Sequence, residues 1–65
     1  MKGDYTVIDT DYRVECWAGR NRPYETFRPT ENTEQGVQRL VDELSDYAKF
    51  WGYRLEIVRT PVLSR

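Results

Sequence analysis

The chain has 65 residues, a formal net charge of −1, one cysteine and no histidine. A chain of this length forms one domain, residues 1–65, with a single small core, and its composition excludes an internal disulfide and a zinc site with the usual ligands. The near-neutral charge argues against a general nucleic-acid binder. No apolar run approaches the roughly 20 residues of a membrane span. The single thiol and the lack of a secretory segment predict a cytoplasmic protein.

The N-terminal part of the chain predicts strand structure with one interruption. Residues 4–8 are rich in β-formers and predict a short strand or the start of the next one. Unbroken alternation would place Asp9 and Asp11 on the apolar face, so we expect a bulge or turn at residues 9–11. Residues 12–18 then alternate as a half-buried strand does. One face carries Tyr12, Val14, Cys16 and Ala18, and the other carries Arg13, Glu15 and Trp17.

The next segment predicts a hairpin. Residues 19–23 contain Gly, Asn and Pro, which are typical of a connection between strands. Residues 24–28 follow as a short return strand. Pro29 ends that strand, because proline lacks a donor for the strand ladder.

Residues 32–52 predict an α-helix. Asn32 is the expected N-cap, with Gln35 completing a capping box, and Gly52 suits the left-handed residue that ends a helix. Apolar side chains recur at the spacing of one helical stripe, which we expect to face the sheet. The stripe consists of Val37, Leu40, Val41, Leu44, Tyr47, Ala48 and Trp51.

Residues 53–60 alternate again and predict a last strand that Pro61 ends. The element order is therefore β-β-α-β. It predicts an α+β fold with a three-stranded, mostly antiparallel sheet and one helix packed on one face. The simplest sheet has the first long strand in its centre, but the sequence leaves open whether the last strand lies beside the first or the second.

Catalysis has little support in this sequence. Histidine, the commonest general base, is absent, and Cys16 falls in the apolar phase of a strand, where a buried, inert thiol is the expected state. Two groups of carboxylates fit turn chemistry and a solvated helix face better than a metal site. We expect a protein that is not an enzyme and uses no cofactor or metal.

Nucleic-acid binding is one alternative. Arg20, Arg22 and Arg28 accompany the aromatic residues Trp17, Tyr24 and Phe27 around the hairpin, and arginine with aromatics is what single-strand binding uses. A positively charged loop that keeps a sheet edge soluble explains the same residues. In a chain of net charge −1 we favour the second explanation.

Protein binding is the function that the sequence favours. Aromatic and arginine side chains outside the core are the types enriched in interface hot spots. Trp17 is as consistent with the rim of the core as with an interface, and Phe50 favours the rim. The expected partner-binding residues are Glu15, Trp17, Arg20, Arg22, Tyr24, Arg54 and Arg59. A homodimer is also compatible with so small a core.

Several short features are similar to one known family. These are the pairs Tyr24-Glu25, Asn32 with Gln35, Gly52-Tyr53 and Val14-Glu15, and a Val58-Arg59 pair close to Pro61. In these features the chain resembles the small early proteins of short-tailed coliphages that inhibit bacterial RNA polymerase, which have a hairpin, one helix and a final strand. It departs from them in a helix about one turn longer, in an extra residue before Pro61, and in Ile57 where the family has an arginine.

The resemblance implies a phage-encoded inhibitor of host transcription. Glu15 and Arg59 would then be the carboxylate and the arginine that contact the polymerase, and Tyr24 a supporting aromatic. The Ile57 departure leaves room for a different partner, such as a host defence protein or another host complex.

Overall fold

The computed structural model of the protein describes residues 6–21 and 23–64. Its elements are β1 (Thr6–Trp17), β2 (Glu25–Phe27), α1 (Glu34–Trp51) and β3 (Arg54–Ser64). The strands form one sheet in the order β2-β1-β3, and β1 pairs antiparallel with both neighbours. The predicted α+β fold and the central position of the first long strand are confirmed. The last strand, whose neighbour the sequence left open, lies beside the first.

The interruption expected at residues 9–11 does not divide β1. Val7 lies opposite Leu63 and Asp9 lies opposite Val62, so Ile8 is the extra residue of a bulge. The register break is therefore real, but it falls one residue earlier and the strand continues through it. Pairing with β3 on one side outweighs the local turn preference of Asp9 and its neighbours. Residues 4 and 5 of the expected first segment lie outside the described residues.

β3 is longer than predicted because Pro61 does not end it. Pro61 lies opposite Thr10, whose carbonyl points to the other side of β1 and accepts a hydrogen bond from Asn32 Nδ2 at 2.7 Å. The N–H and C=O of one residue point the same way in an antiparallel strand, so the Thr10–Pro61 pair is a non-hydrogen-bonded one. No donor is required of Pro61 there, and β3 is an edge strand, where proline is tolerated.

The two long strands make the molecule elongated. The Cα atoms extend over 48 × 27 × 11 Å with a radius of gyration of 14.3 Å, whereas a compact chain of this length has about 11 Å. The far ends of β1 and β3 run past the start of the helix as a two-stranded ribbon. Val7, Ile8, Val62 and Leu63 are exposed on this ribbon.

The helix begins one residue later than the capping box predicts. Thr33 is the N-cap, and its hydroxyl accepts a hydrogen bond from the backbone N–H of Gly36 at 2.9 Å. Asn32 instead accepts from the N–H of Tyr12 at 2.8 Å and donates to Thr10. The Asn32 amide thus hydrogen-bonds the backbone edge of β1 just beyond the end of β2. This tertiary contact replaces the helix-capping role that the local sequence predicts for Asn32. The predicted end is confirmed, since Gly52 adopts a left-handed φ of 74°.

The core is small and lies between the helix and the two long strands. Val14, Cys16, Val37 and Ala48 are the buried apolar residues of the described chain. The predicted phase of β1 is confirmed, because Val14 and Cys16 face the helix. The predicted helical stripe is only partly buried: Val37 and Ala48 are buried, but Tyr47 is 36% and Trp51 58% exposed. The helix packs on β1 and β3 and not on β2, so these two aromatic rings are only partly covered, by contact with Tyr53.

Gly36 is a position where only glycine fits. A Cβ added there would overlap the backbone carbonyl of Glu31, because the chain folds tightly over the first turn of α1. At an ordinary helical site, alanine in place of glycine stabilises by about 1 kcal/mol. Here we expect Gly36→Ala to lower the free energy of unfolding by about 1–3 kcal/mol, as overpacked sites do.

Urea denaturation measures this difference, and Gly19→Ala is the matched control. Gly19 has no atom within 4 Å of an added Cβ, so we expect its free energy of unfolding to change by less than about 0.5 kcal/mol. A Gly36→Ala variant as stable as the wild type would contradict the close approach of Glu31.

Candidate functional site

The sheet face opposite the helix is uncovered by any described element. Directly paired residues of an antiparallel sheet project to the same face, and those that alternate with the buried Val14 and Cys16 project away from the helix. We call this surface the open face. It comprises Asp11, Arg13, Glu15 and Trp17 of β1, Thr26 of β2, and Arg54, Glu56, Val58 and Thr60 of β3.

Trp17 and Arg54 form the aromatic end of the open face. They are paired across β1 and β3, and the guanidinium carbon of Arg54 lies 5.1 Å from the centre of the Trp17 ring, a cation–π contact. The same guanidinium forms an ion pair with Glu56. The Nε1–H group of Trp17 is covered and has no hydrogen-bond partner among the described residues. A buried hydrogen-bond donor without a partner among the described residues therefore belongs to the same ring that the exposed Arg54 cation contacts.

The remaining charges of the open face are paired along it. Arg13 lies 3.4 Å from the carboxylate of Glu15 and donates to the hydroxyl of Thr60 at 3.2 Å. Next to them, Arg28 binds the carboxylate of Asp11 at 2.9 Å. Positive and negative side chains therefore alternate along the open face, and its net charge is close to zero. The arrangement suits recognition of a protein surface with its own alternating charges better than recognition of a uniform row of phosphates.

Three of the residues predicted to bind a partner are brought together on the open face, namely Glu15, Trp17 and Arg54. The others lie elsewhere. Arg20 is exposed in the connection between β1 and β2, and Arg22 lies outside the described residues. Tyr24 packs its ring against Tyr53 at 5.4 Å between centroids, on the helix side of the sheet.

Arg59 lies on the face opposite to Glu15. It projects towards the start of the helix, where it donates two hydrogen bonds to Glu34, at 2.6 and 2.9 Å. The bidentate pair lowers the pKa of Glu34 and raises that of Arg59 from their ordinary values. Burial and the nearby Glu34 also raise the pKa of Tyr12. Arg59 thus ties the helix to β3, a structural role that periodicity in the strand does not reveal.

The arginine cluster of the nucleic-acid alternative is divided in the fold. Arg28 follows β2 and is bound to Asp11, whereas Arg20 lies in the connection that precedes β2. The three residues of β2 stand between them. A contact that relied on Arg20 and Arg28 together would have to span that strand.

Cys16 is the one cysteine of the chain and is fully buried. Burial raises the pKa of its thiol, and the negative charge of Glu25 adds to the effect. A thiol in this state is a packing group rather than a nucleophile. Within residues 6–21 and 23–64, no three His, Cys, Asp or Glu side chains come together as metal ligands.

A second surface was not predicted from the sequence. Four aromatic side chains meet around the C-terminal end of α1, and we call them the aromatic wall: Tyr24, Tyr47, Trp51 and Tyr53. Tyr53 is their centre, with its ring 5.4 to 6.4 Å from the other three. The signal was the aromatic pair on either side of Gly52, of which the helical stripe assigned Trp51 to the core and the last strand took Tyr53.

The burial of Cys16 predicts slow chemistry at its thiol. We expect a thiol-specific disulfide reagent to label the native protein far more slowly than the unfolded chain in guanidinium chloride, because the reagent must wait for the sheet and helix to separate. Absorbance of the released thiol measures both rates at one pH. Labelling of the native protein at the rate of the unfolded chain would show that Cys16 is not in the core.

The Glu34–Arg59 pair predicts a pH-dependent stability. The folded pKa of Glu34 lies below its ordinary value of about 4.5, so the pair stabilises fully above that pH and its contribution is lost as the pH falls through the folded pKa. We expect Glu34→Gln to lower the thermal midpoint at neutral pH, by an amount that shrinks below about pH 4.5. Melting curves across this range measure it.

Glu43→Gln is the matched control for this change. Glu43 is an exposed carboxylate on the same helix and has no ion pair among the described residues. Its substitution should leave the thermal midpoint nearly unchanged throughout the same range. An effect of Glu34→Gln that is equal at every pH would contradict the ion pair.

Comparison of the chain with models of protein families, with curated proteins and with solved structures found no match. Among the described residues, no helix has the length and apolar character needed to cross a membrane.

Proposed function

We propose that the protein is a non-catalytic domain that binds a larger protein through the open face and acts by covering the surface it contacts. The observation that carries this proposal is the contact of Arg54 with Trp17 on a sheet face that no described element covers. Tryptophan and arginine are the residues most enriched in interface hot spots. In a two-layer domain the second face of a sheet is the surface left for a partner.

The open face runs along both long strands. The ladder pairs β1 with β3 from Thr6–Ser64 to Trp17–Arg54, and the 12 residues of β1 span about 40 Å at roughly 3.3 Å per residue. A partner could therefore contact the protein along this length of one side.

Trp17 and Arg54 supply the chemistry of recognition. A carboxylate or carbonyl group of the partner would attract the guanidinium of Arg54 and give the unused Nε1–H group of Trp17 an acceptor. Glu15, the next residue of β1 on this face, is paired with Arg13 at 3.4 Å and would also accept a hydrogen bond from a donor or a cation of the partner. These groups define register and orientation on the partner, and the rest of the face contributes shape.

Bacterial RNA polymerase is the partner that the sequence resemblance suggests, and the protein would then be a phage product that inhibits transcription in the host cytoplasm. Glu15 lies on the open face, as that proposal requires. Arg59 lies on the other face, beside the outer edge of β3, so a polymerase surface that contacted both would have to wrap around this strand. Another host protein, such as a defence nuclease, remains the second possibility for the partner.

A pull-down from bacterial lysate identifies the partner, and purified polymerase tests the named candidate directly. Arg54→Ala should weaken binding at least tenfold, the loss typical when a hot-spot arginine is truncated. It should leave the thermal midpoint nearly unchanged, because the Arg54 side chain is 55% exposed. Trp17→Phe should weaken binding as well, since it keeps an aromatic ring but removes the Nε1–H donor.

Arg39→Ala is the control, because Arg39 is an equally exposed arginine on the outer side of the helix. It should bind as the wild type does. If Arg54→Ala and Trp17→Phe both retain full affinity, the open face is not the interface. Tight, strongly salt-dependent binding to single-stranded DNA without any protein partner would favour the nucleic-acid alternative instead.

A further inference from the structure

The helix side of the sheet has a groove of its own. The helix lies over β1 and β3 and leaves β2 uncovered. A depression of about 270 Å³ results between α1 and β2, lined by Glu25 and Phe27 of β2 and by Leu44 and Tyr47 of α1. Phe27 pairs with Val14 and Glu25 with Cys16, so these side chains project to the face opposite Trp17 and Arg54. The groove is therefore separated from the open face by the sheet itself.

One end of the groove opens onto the aromatic wall. Tyr47 belongs to both, and its ring meets that of Tyr53 edge to face at 5.8 Å. Trp51 stacks beside Tyr53 with 18° between the ring planes and is 58% exposed. Tyr24 is 62% exposed. Exposed, ordered ring faces beside an apolar depression are expensive to leave in water, which marks the surface as one that a ligand covers.

A negative charge lies at the junction of the groove and the wall. Glu25 is exposed and has no ion pair or side-chain hydrogen bond within the part of the chain that the structure describes. Glu25 and Tyr47 line the same depression. Burial raises the pKa of Tyr47, and the negative charge of Glu25 raises it further. The nearest helical cation in sequence, Lys49, is two residues from Tyr47 and so projects from a different side of α1.

The chemistry of this surface specifies what it would bind. Ring faces attract a cation through their quadrupole, and a carboxylate beside them attracts it through its charge. The depression accepts an apolar side chain between Phe27 and Leu44. Its volume is smaller than the 300–1,000 Å³ typical of small-molecule pockets, so it suits one side chain of a peptide rather than a whole cofactor.

We propose that the groove between α1 and β2 binds an extended segment of a partner protein in which an apolar residue is followed two positions later by arginine or lysine, because alternate residues of an extended chain project to the same side. The apolar side chain occupies the depression, and the cation lies against the aromatic wall beside Glu25. The outer edge of β2, two residues of which line the groove, has no strand partner among the described residues, so an extended backbone can pair with it. This site goes beyond the proposed function, because it uses the other face of the sheet and shares no residue with the open face.

The test is a titration of the ¹⁵N-labelled full-length protein with acetyl-leucyl-glycyl-arginine amide, the leucyl-arginine probe, followed by amide chemical shifts. We expect saturable shifts at Glu25, Phe27, Leu44 and Tyr47. Acetyl-leucyl-glycyl-glutamine amide lacks the cation and acetyl-alanyl-glycyl-arginine amide lacks the large apolar side chain, so both should bind several-fold more weakly. No saturable shift with the leucyl-arginine probe would overturn the proposal, as would equal binding of the glutamine probe.

Two variants locate the cation. Glu25→Gln should weaken the leucyl-arginine probe about fivefold, the effect of one partly exposed charge pair. Glu43→Gln, an exposed carboxylate on the outer side of α1, should leave its affinity unchanged, and thermal melting checks that both variants fold. Equal affinity of Glu25→Gln and the wild type would overturn the assignment.

Further outcomes separate this proposal from others. Shifts confined to Trp17, Arg54 and their neighbours would overturn the groove and favour the open face. Concentration-dependent shifts of the groove residues without any probe would mean that a second copy of the chain fills it, which also overturns the proposal. Arg54→Ala should bind the probe as the wild type does, so a failure of the groove and a failure of the open face are distinguishable.

Discussion

The antiparallel ladder between β1 and β3 is the interaction on which the rest of this structure depends. It joins the two ends of the described chain, from the pair of Thr6 with Ser64 to the pair of Trp17 with Arg54. β1 also carries β2 on its other edge, and the helix packs on the two long strands alone. Without the ladder there is neither a surface for the helix nor a second partner for β1, because β2 contributes only three residues. The burial of Val14 and Cys16 therefore depends on the pairing of segments far apart in sequence. Bringing these segments together costs conformational entropy, which is offset only by the contacts of the complete sheet.

The same ladder explains why both faces of the sheet keep exposed surface in so small a domain. One helix covers the centre of one face, where Val37 and Ala48 are buried, and no described element covers the open face. On the covered face the helix also leaves β2 bare, since the strands are wider together than a single helix. Apolar and aromatic surface stays exposed among the described residues, because one helix and three strands cannot cover each other completely. These exposed surfaces are the ones to which we assign binding in our proposals.

Two long polar side chains, Asn32 and Arg59, form tertiary hydrogen bonds near the start of the helix that the sequence does not predict. Asn32 continues the hydrogen bonding of β1 where β2 has ended, and Arg59 holds Glu34 from the edge strand. In the sequence, an asparagine before a helix is a cap and an arginine on a strand is a surface charge available to a partner. Both predictions rest on neighbouring residues only, whereas both side chains bind residues that are distant in sequence. Their partners lie at least 20 residues away, beyond the reach of any local pattern.

The sequence by itself determined the elements of this protein: the helix and its left-handed end at Gly52, the alternation that buries Val14 and Cys16, and the projection of Glu15 and Trp17 to the other side. These follow from periodicity and backbone conformation, which act over a few residues. Only the tertiary structure decided which side chains meet. In the fold, Arg54 contacts the ring of Trp17, and Arg59 binds Glu34. β3 continues through Pro61, and Tyr47 and Trp51 stay exposed. The physical reason is that strand order, register and the width of the sheet relative to one helix are set by long-range pairing, and local sequence does not encode them.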